Sequence, residues 1–106
     1  MKEIKSKTEF SEIIRKEKVL IDFYADWCGP CQVQAGFLEE FEKEHPDIEI
    51  YKINTDNFLG IAREYRIVSI PALKVFSNGK VKNAATGLQN KDQLEELIRW
   101  WRKYYW

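Results

Sequence analysis

Val19-Leu20-Ile21-Asp22-Phe23-Tyr24-Ala25-Asp26-Trp27-Cys28-Gly29-Pro30-Cys31 holds both cysteines of a 106-residue chain and the change of periodicity that decides its fold. Residues 19–24 are apolar with one interruption, Asp22, as expected for a central strand covered on both faces. Beyond Cys31, Phe37, Leu38 and Phe41 recur at helical spacing among Glu39, Glu40, Glu42, Lys43 and Glu44. The cysteine pair therefore lies where a strand passes into a helix. At the first turn of a helix, backbone N–H groups lack intrahelical partners and carry the positive end of the macrodipole. Cys28 faces those groups and Cys31 is tucked inside the turn, so Cys28 is expected to ionise more easily. Thiolates, not thiols, attack disulfides and bind metals, so the spacing suits a nucleophile, Cys28, with a resolving partner, Cys31.

Size and charge narrow the function classes. A chain of 106 residues is expected to be one domain, 1–106, able to bury a core without disulfide staples or a structural metal. Lys+Arg and Asp+Glu both number 17, and no run of like charge is long enough to suggest nucleic-acid or anionic-membrane binding. No window approaches the roughly 18 apolar residues of a membrane span, and Met1-Lys2-Glu3-Ile4-Lys5-Ser6-Lys7 lacks the apolar core of a secretory signal. These features predict a cytoplasmic protein, in which a close cysteine pair is more often redox-active or metal-binding than structural.

Along the chain, residues 2–5 suggest a short edge strand. Ser6-Lys7-Thr8-Glu9 has the capping-box pattern ahead of a helix carrying Phe10, Ile13 and Ile14 and running to about Lys16. The second helix is expected to reach His45, because Pro46 disfavours helical geometry in the residue before it. Ile48, Ile50, Tyr51 and Ile53 mark another strand, in which Lys52 breaks the alternation. Asp56 and Asn57 are placed to cap a short helix with Leu59, Ile61 and Ala62, ending near Tyr65. Ile70-Pro71 opens a strand, Ala72 to Phe76, and Asn78-Gly79 before Lys80-Val81-Lys82 predicts a type I′ hairpin to an antiparallel neighbour. From about Asn90, Leu94, Leu97, Ile98 and Trp101 recur at helical spacing and predict a closing helix over the sheet. The order βαβαβαββα implies an α/β fold with a mixed five-stranded sheet and four helices on its two faces, an α/β/α sandwich.

With these elements in place the chain resembles the thioredoxin family. The resemblance rests on Asp22-Phe23-Tyr24-Ala25-Asp26-Trp27-Cys28-Gly29-Pro30-Cys31, Lys52-Ile53-Asn54-Thr55-Asp56, Ile70-Pro71-Ala72, Asn78-Gly79-Lys80 and Thr86-Gly87, in family order, and covers nearly the whole chain. A bare C-x-x-C is a weak signal, whereas C-G-P-C after an Asp-bearing strand and ahead of Ile-Pro and an Asn-Gly hairpin is specific. The resemblance implies the thioredoxin fold, a cis Ile70–Pro71 bond, and reduction of protein disulfides by dithiol–disulfide exchange. It also implies a monomer with no bound cofactor, re-reduced by a separate thioredoxin reductase. The chain departs from the family pattern at Gly36, where a helix-kinking proline is usual, at Gln32, at Ala72, and in an aromatic tail from Trp100 to Trp106.

Each candidate residue has a plainer alternative. Cys28 and Cys31 could be a redox couple, half of a zinc site, or inert thiols. Zinc in a closed site wants four ligands and the chain adds only His45, so a site would need a second chain. Gly29 and Pro30 at a helix start favour the redox couple, since Gly29 lets backbone approach the sulfur and Pro30 has no N–H to leave unpaired. Asp22 is a solvent-facing edge residue or a buried carboxyl whose pKa desolvation raises. By resemblance it lies beneath the cysteines and accepts the proton of Cys31, with Lys52 opposing the shift. Lys52 alone reads equally well as a strand lysine with its stem on the sheet. Trp27 is either core or, with Ile70, an apolar rim around Cys28, where Gly87 leaves room for an approaching chain. Pro71 is expected against the disulfide, and the Ile70 backbone is expected to pair with an extended substrate segment. Trp101 and Tyr104 fall at core spacing. Trp100, Tyr105 and Trp106 read as a frayed end, a partner contact or an interfacial anchor, and the partner contact gives the rival function, a redox-incidental adaptor.

Overall fold

Alternating side chains on three adjacent strands divide the molecule into layers. The computed structural model describes residues 1–101. The central strand β2 (Val19–Tyr24) runs parallel to β3 (Glu49–Asn54) on one side and antiparallel to β4 (Ala72–Ser77) on the other. β1 (Lys2–Glu3) adds to β3 and β5 (Lys80–Thr86) adds to β4, giving the order β1-β3-β2-β4-β5. Four helices, α1 (Lys7–Ile13), α2 (Gly29–Glu44), α3 (Leu59–Glu64) and α4 (Lys91–Leu97), complete the expected α/β/α sandwich.

Because successive strand residues point to opposite faces, β2 feeds two cores. Val19, Ile21 and Phe23, with Tyr51 and Ile53 of β3, pack under Phe10 and Ile13 of α1 and Ile61 of α3. Leu20, with Ile50 of β3 and Leu73 and Val75 of β4, packs under Leu38 and Phe41 of α2 and Leu94 and Leu97 of α4. Each such side chain, removed fully from water, contributes about 1.5–3 kcal/mol. The same alternation puts Asp22 and its register partner Lys52 on the α2 face. The break that Lys52 makes in the β3 pattern is therefore positional: it belongs to the face that holds the cysteine helix.

The hairpin forms as expected, with φ of 53° at Asn78 and 87° at Gly79. It also shortens α1. The helix ends at Ile13 instead of Lys16, because the next turn tightens to Arg15 N–H on Glu12 and Lys16 N–H on Ile13, while Asn78 and Gly79 donate to the carbonyls of Lys16 and Ile14. Asp56 and Asn57 do not cap α3. Asn54 caps a 3₁₀ turn, Thr55–Asn57, by accepting from Asp56 N at 3.0 Å, and Phe58 then precedes α3 without a side-chain cap. Helix α2 stops at Glu44, with His45 as its cap. Trp101 is fully buried in the second core, and Trp100 lies against that core with the Lys82 ammonium 5.3 Å from its ring centroid. The expectations for Tyr104, Tyr105 and Trp106 fall outside the described residues.

Gly36 sits within the unbroken run of α2, and a Cβ added there would meet no atom within 4 Å. Gly36→Ala should therefore raise the free energy of unfolding by about 0.5–1 kcal/mol, read from the denaturant midpoint; a loss of stability would show that the helix needs glycine there.

Candidate active site

The β2–α2 junction delivers Cys28 in extended geometry, φ −91° and ψ 108°, as the N-cap of α2. Its Sγ accepts a hydrogen bond from Cys31 N at 3.2 Å, so sulfur takes the place of the usual hydroxyl or carboxylate cap. Cys28 and Cys31 form a disulfide with Cα atoms 5.2 Å apart. Gly29 and Pro30 occupy the first turn, where the missing N–H of proline leaves nothing unpaired. A side chain at Gly29 would meet nothing within 4 Å, so packing within the chain does not demand glycine. His45, the remaining zinc-ligand candidate, stands at the far end of α2, roughly 1.5 Å per residue away along sixteen residues, with its ring against Phe41 and bonded to Glu95.

Asp22 is 1% exposed, and its Oδ1 has no hydrogen-bond partner among the described residues. Desolvation raises its pKa from 3.8 to about 7, against the opposing charge of Lys52. Burial outweighs the nearby cation, which removes the solvent-facing reading of Asp22. Asp22, Lys52 and Cys31 line one cavity of about 200 Å³, with Tyr24, Asp26 and Gln32 also in its wall. The Lys52 ammonium sits 5.3 Å from the Tyr24 ring centroid, and the Tyr24 hydroxyl donates to the Glu3 carboxylate. Tyr24, which the sequence presents only as a strand residue, thus sets where the Lys52 charge stands.

Trp27 is 72% exposed, so the core reading fails. Its indole N–H donates to Asp56 Oδ2 at 2.9 Å, which holds the ring in place on the surface beside Cys28. The Ile70–Pro71 bond is cis, and the Ile70 carbonyl oxygen lies 3.9 Å from Cys28 Sγ. Gly87, at φ +88°, donates its N–H to the Pro71 carbonyl at 2.8 Å, so the β5–α4 loop is tied to the proline loop. The positive φ, and not packing, favours glycine there, because an added Cβ would meet no atom within 4 Å. The structure also brings in Gln34, fully buried on the α2 stripe of Cys31, Leu38 and Phe41. A polar residue on an apolar stripe is the signal that exposes it.

Known proteins share the sequence pattern and the fold of this chain. The Thioredoxin family model matches residues 2–100. Thioredoxin of Chlamydia trachomatis is 39% identical over 98 residues, covering 92% of this chain and 96% of that protein. Thioredoxin of Mycoplasmoides gallisepticum is 36% identical, covering 93% of this chain and 100% of its own length. A solved Plasmodium falciparum thioredoxin superposes with a TM-score of 0.87 at 34% identity, covering 98% of this chain and 99% of the other.

The raised pKa of Asp22 fixes the sign of a pH effect on stability. The folded protein holds a proton at Asp22 up to about pH 7, whereas the unfolded chain releases it near pH 3.8, so stability falls as pH rises between those values and levels off above. Asp22→Asn should therefore stabilise the oxidised protein at pH 8, by an amount on the order of 4 kcal/mol, and the gain should shrink towards pH 4. Thermal unfolding of both proteins across that range checks this, and a gain independent of pH would contradict it.

Proposed function

We infer the mechanism from a premise that the matches supply: the chain belongs to the thioredoxin family and is a dithiol–disulfide oxidoreductase that reduces protein disulfides. In the reduced protein the Cys28 thiolate attacks one sulfur of a target disulfide. A Cys28–target mixed disulfide forms, and the other target sulfur leaves as a thiolate that takes up a proton. Cys31 then gives its proton towards Asp22 and attacks the Cys28 sulfur. The intramolecular disulfide forms and the second target sulfur leaves reduced. Two electrons pass to the target and no bound cofactor takes part. The observation that carries this reading is the sulfur cap, which places Cys28 at the positive end of α2 with Cys31 one turn inside.

Asp22 supports the second step because it is buried, it shares a cavity with Cys31, and its pKa of about 7 suits proton exchange near neutral pH. Lys52 keeps that pKa from rising further. Trp27, Ile70, Pro71 and Gly87 form the surface on which an extended target chain lies, with Ile70 offering backbone groups for pairing. The protein works as a monomeric domain in the cytoplasm, where a separate thioredoxin reductase returns the electrons. Net reduction of targets needs such a donor, since the disulfide formed in each turn must be opened before the next.

Insulin reduction, coupled to a supply of reductant, tests the roles. The wild-type protein should be active and Cys28→Ser inactive. Cys31→Ser should accumulate covalent adducts with target proteins, because the mixed disulfide forms and is not resolved. Activity in Cys28→Ser, or no adducts with Cys31→Ser, would sink the assignment.

A further inference from the structure

Gln34 is the one polar residue among the four buried positions of α2 other than the cysteine, and its exposure is 0%. A primary amide removed from water is costly unless its hydrogen bonds are replaced. Both are replaced by one residue of the β5–α4 loop: Gln34 Nε2 donates to the Gln89 carbonyl at 3.0 Å, and Gln34 Oε1 accepts from Gln89 N at 2.7 Å. The side chain thereby pairs with the backbone of Gln89 as a neighbouring strand would. Its anchor on α2 is one turn beyond Cys31.

The loop it grips leads back to the sulfurs by short steps. The Gln89 side chain donates to the Gly87 carbonyl at 3.1 Å, Gly87 N donates to the Pro71 carbonyl at 2.8 Å, and the Ile70 carbonyl lies 3.9 Å from Cys28 Sγ. Helix α2, the Gly87 loop and the proline loop form a closed circuit, and among the described residues Gln34 makes the side-chain hydrogen bonds that join α2 to that loop. An apolar residue at position 34 would remove the tie to α2 and leave the loop held at Gly87 by the Pro71 carbonyl.

We propose that Gln34 is a positioning residue for protein substrates: its amide fixes the Gly87 loop relative to the Cys28–Cys31 turn and so sets the width of the groove that takes the target chain. A small disulfide meets the sulfur without lying in the groove, so the clasp affects it less. The proposal rests on the reading of Ile70, Pro71 and Gly87 as the target-binding surface.

The readout is a ratio, the second-order rate constant for reducing insulin divided by that for 5,5′-dithiobis(2-nitrobenzoate). Gln34→Met keeps the length of the side chain and removes both bonds. Gln89 is only half-buried, so water can satisfy its backbone groups and the variant should fold. The ratio should fall about tenfold, the equivalent of two modest hydrogen bonds. Gln34→Asn, which keeps an amide too short to span the gap, should lower it in the same direction. A ratio unchanged in both variants, or insulin and small-disulfide rates falling together, would overturn the proposal. Gly87→Asn separates this from the premise, because asparagine tolerates positive φ and puts a side chain in the groove. If Gly87→Asn slows insulin reduction and the Gln34 variants do not alter the ratio, Gln34 alone is wrong; if Gly87→Asn leaves insulin reduction untouched, the groove is wrong as well.

Discussion

Everything at the site depends on one hydrogen bond, from Cys31 N to Cys28 Sγ at 3.2 Å. An N-cap acceptor is ordinarily an oxygen, chosen because it satisfies an orphan N–H. Sulfur in that place is held against the positive end of a sixteen-residue helix, in the geometry that stabilises it best as an anion. The sequence achieves this with few residues. β2 ends at Tyr24, four residues lead off the end of that central strand, and Gly29-Pro30 begins a helix without an unpaired proline N–H. Sheet and helix then fix the sulfur 3.9 Å from the Ile70 carbonyl.

The second constraint is electrostatic and opposes stability. Asp22 is buried on the α2 face by the two-residue period of β2, and Lys52 across the register is too weak a partner to keep it ionised in the normal range. The result is a carboxyl that titrates near neutrality beside the resolving cysteine. Its ionised form costs a few kcal/mol at pH 8, against a total stability of roughly 5–15 kcal/mol for a domain of this kind. Destabilisation to this extent, in a cavity shared with Cys31, is the basis on which Asp22 is proposed to take part in the chemistry. The Glu3–Tyr24 pair extends the arrangement to the edge strand, since it holds the ring over which the Lys52 ammonium rests.

Much of this was legible in the chain, and for physical reasons. The run Val19 to Tyr24, the Asn-Gly hairpin and the Leu94/Leu97/Ile98/Trp101 stripe are local patterns, and each appears in the fold as the pattern implies. Cys28 and Cys31 at the strand–helix junction follow from local spacing, whereas the expected places of Asp22 and Pro71 came from the family resemblance. What was not legible depends on partners distant in sequence. The early end of α1 goes with Asn78 and Gly79 donating to the carbonyls of Lys16 and Ile14 just beyond it. Asp56 does not cap α3: its carboxylate accepts the Trp27 indole N–H, and Asn54 caps the 3₁₀ turn that precedes the helix. The role of Gln34 depends on Gln89, far along the chain, whose backbone it pairs with.

The acidity of Cys28 in the reduced protein is the most direct test of the sulfur cap, read as the rate of iodoacetamide alkylation at that residue from pH 5 to 9 with glutathione as reference. A thiol at the positive end of α2 should titrate well below the ordinary value of about 8.5 and outpace glutathione at pH 6. A Cys28 that titrates with an unshifted thiol pKa, and reacts no faster than glutathione there, would contradict the central claim.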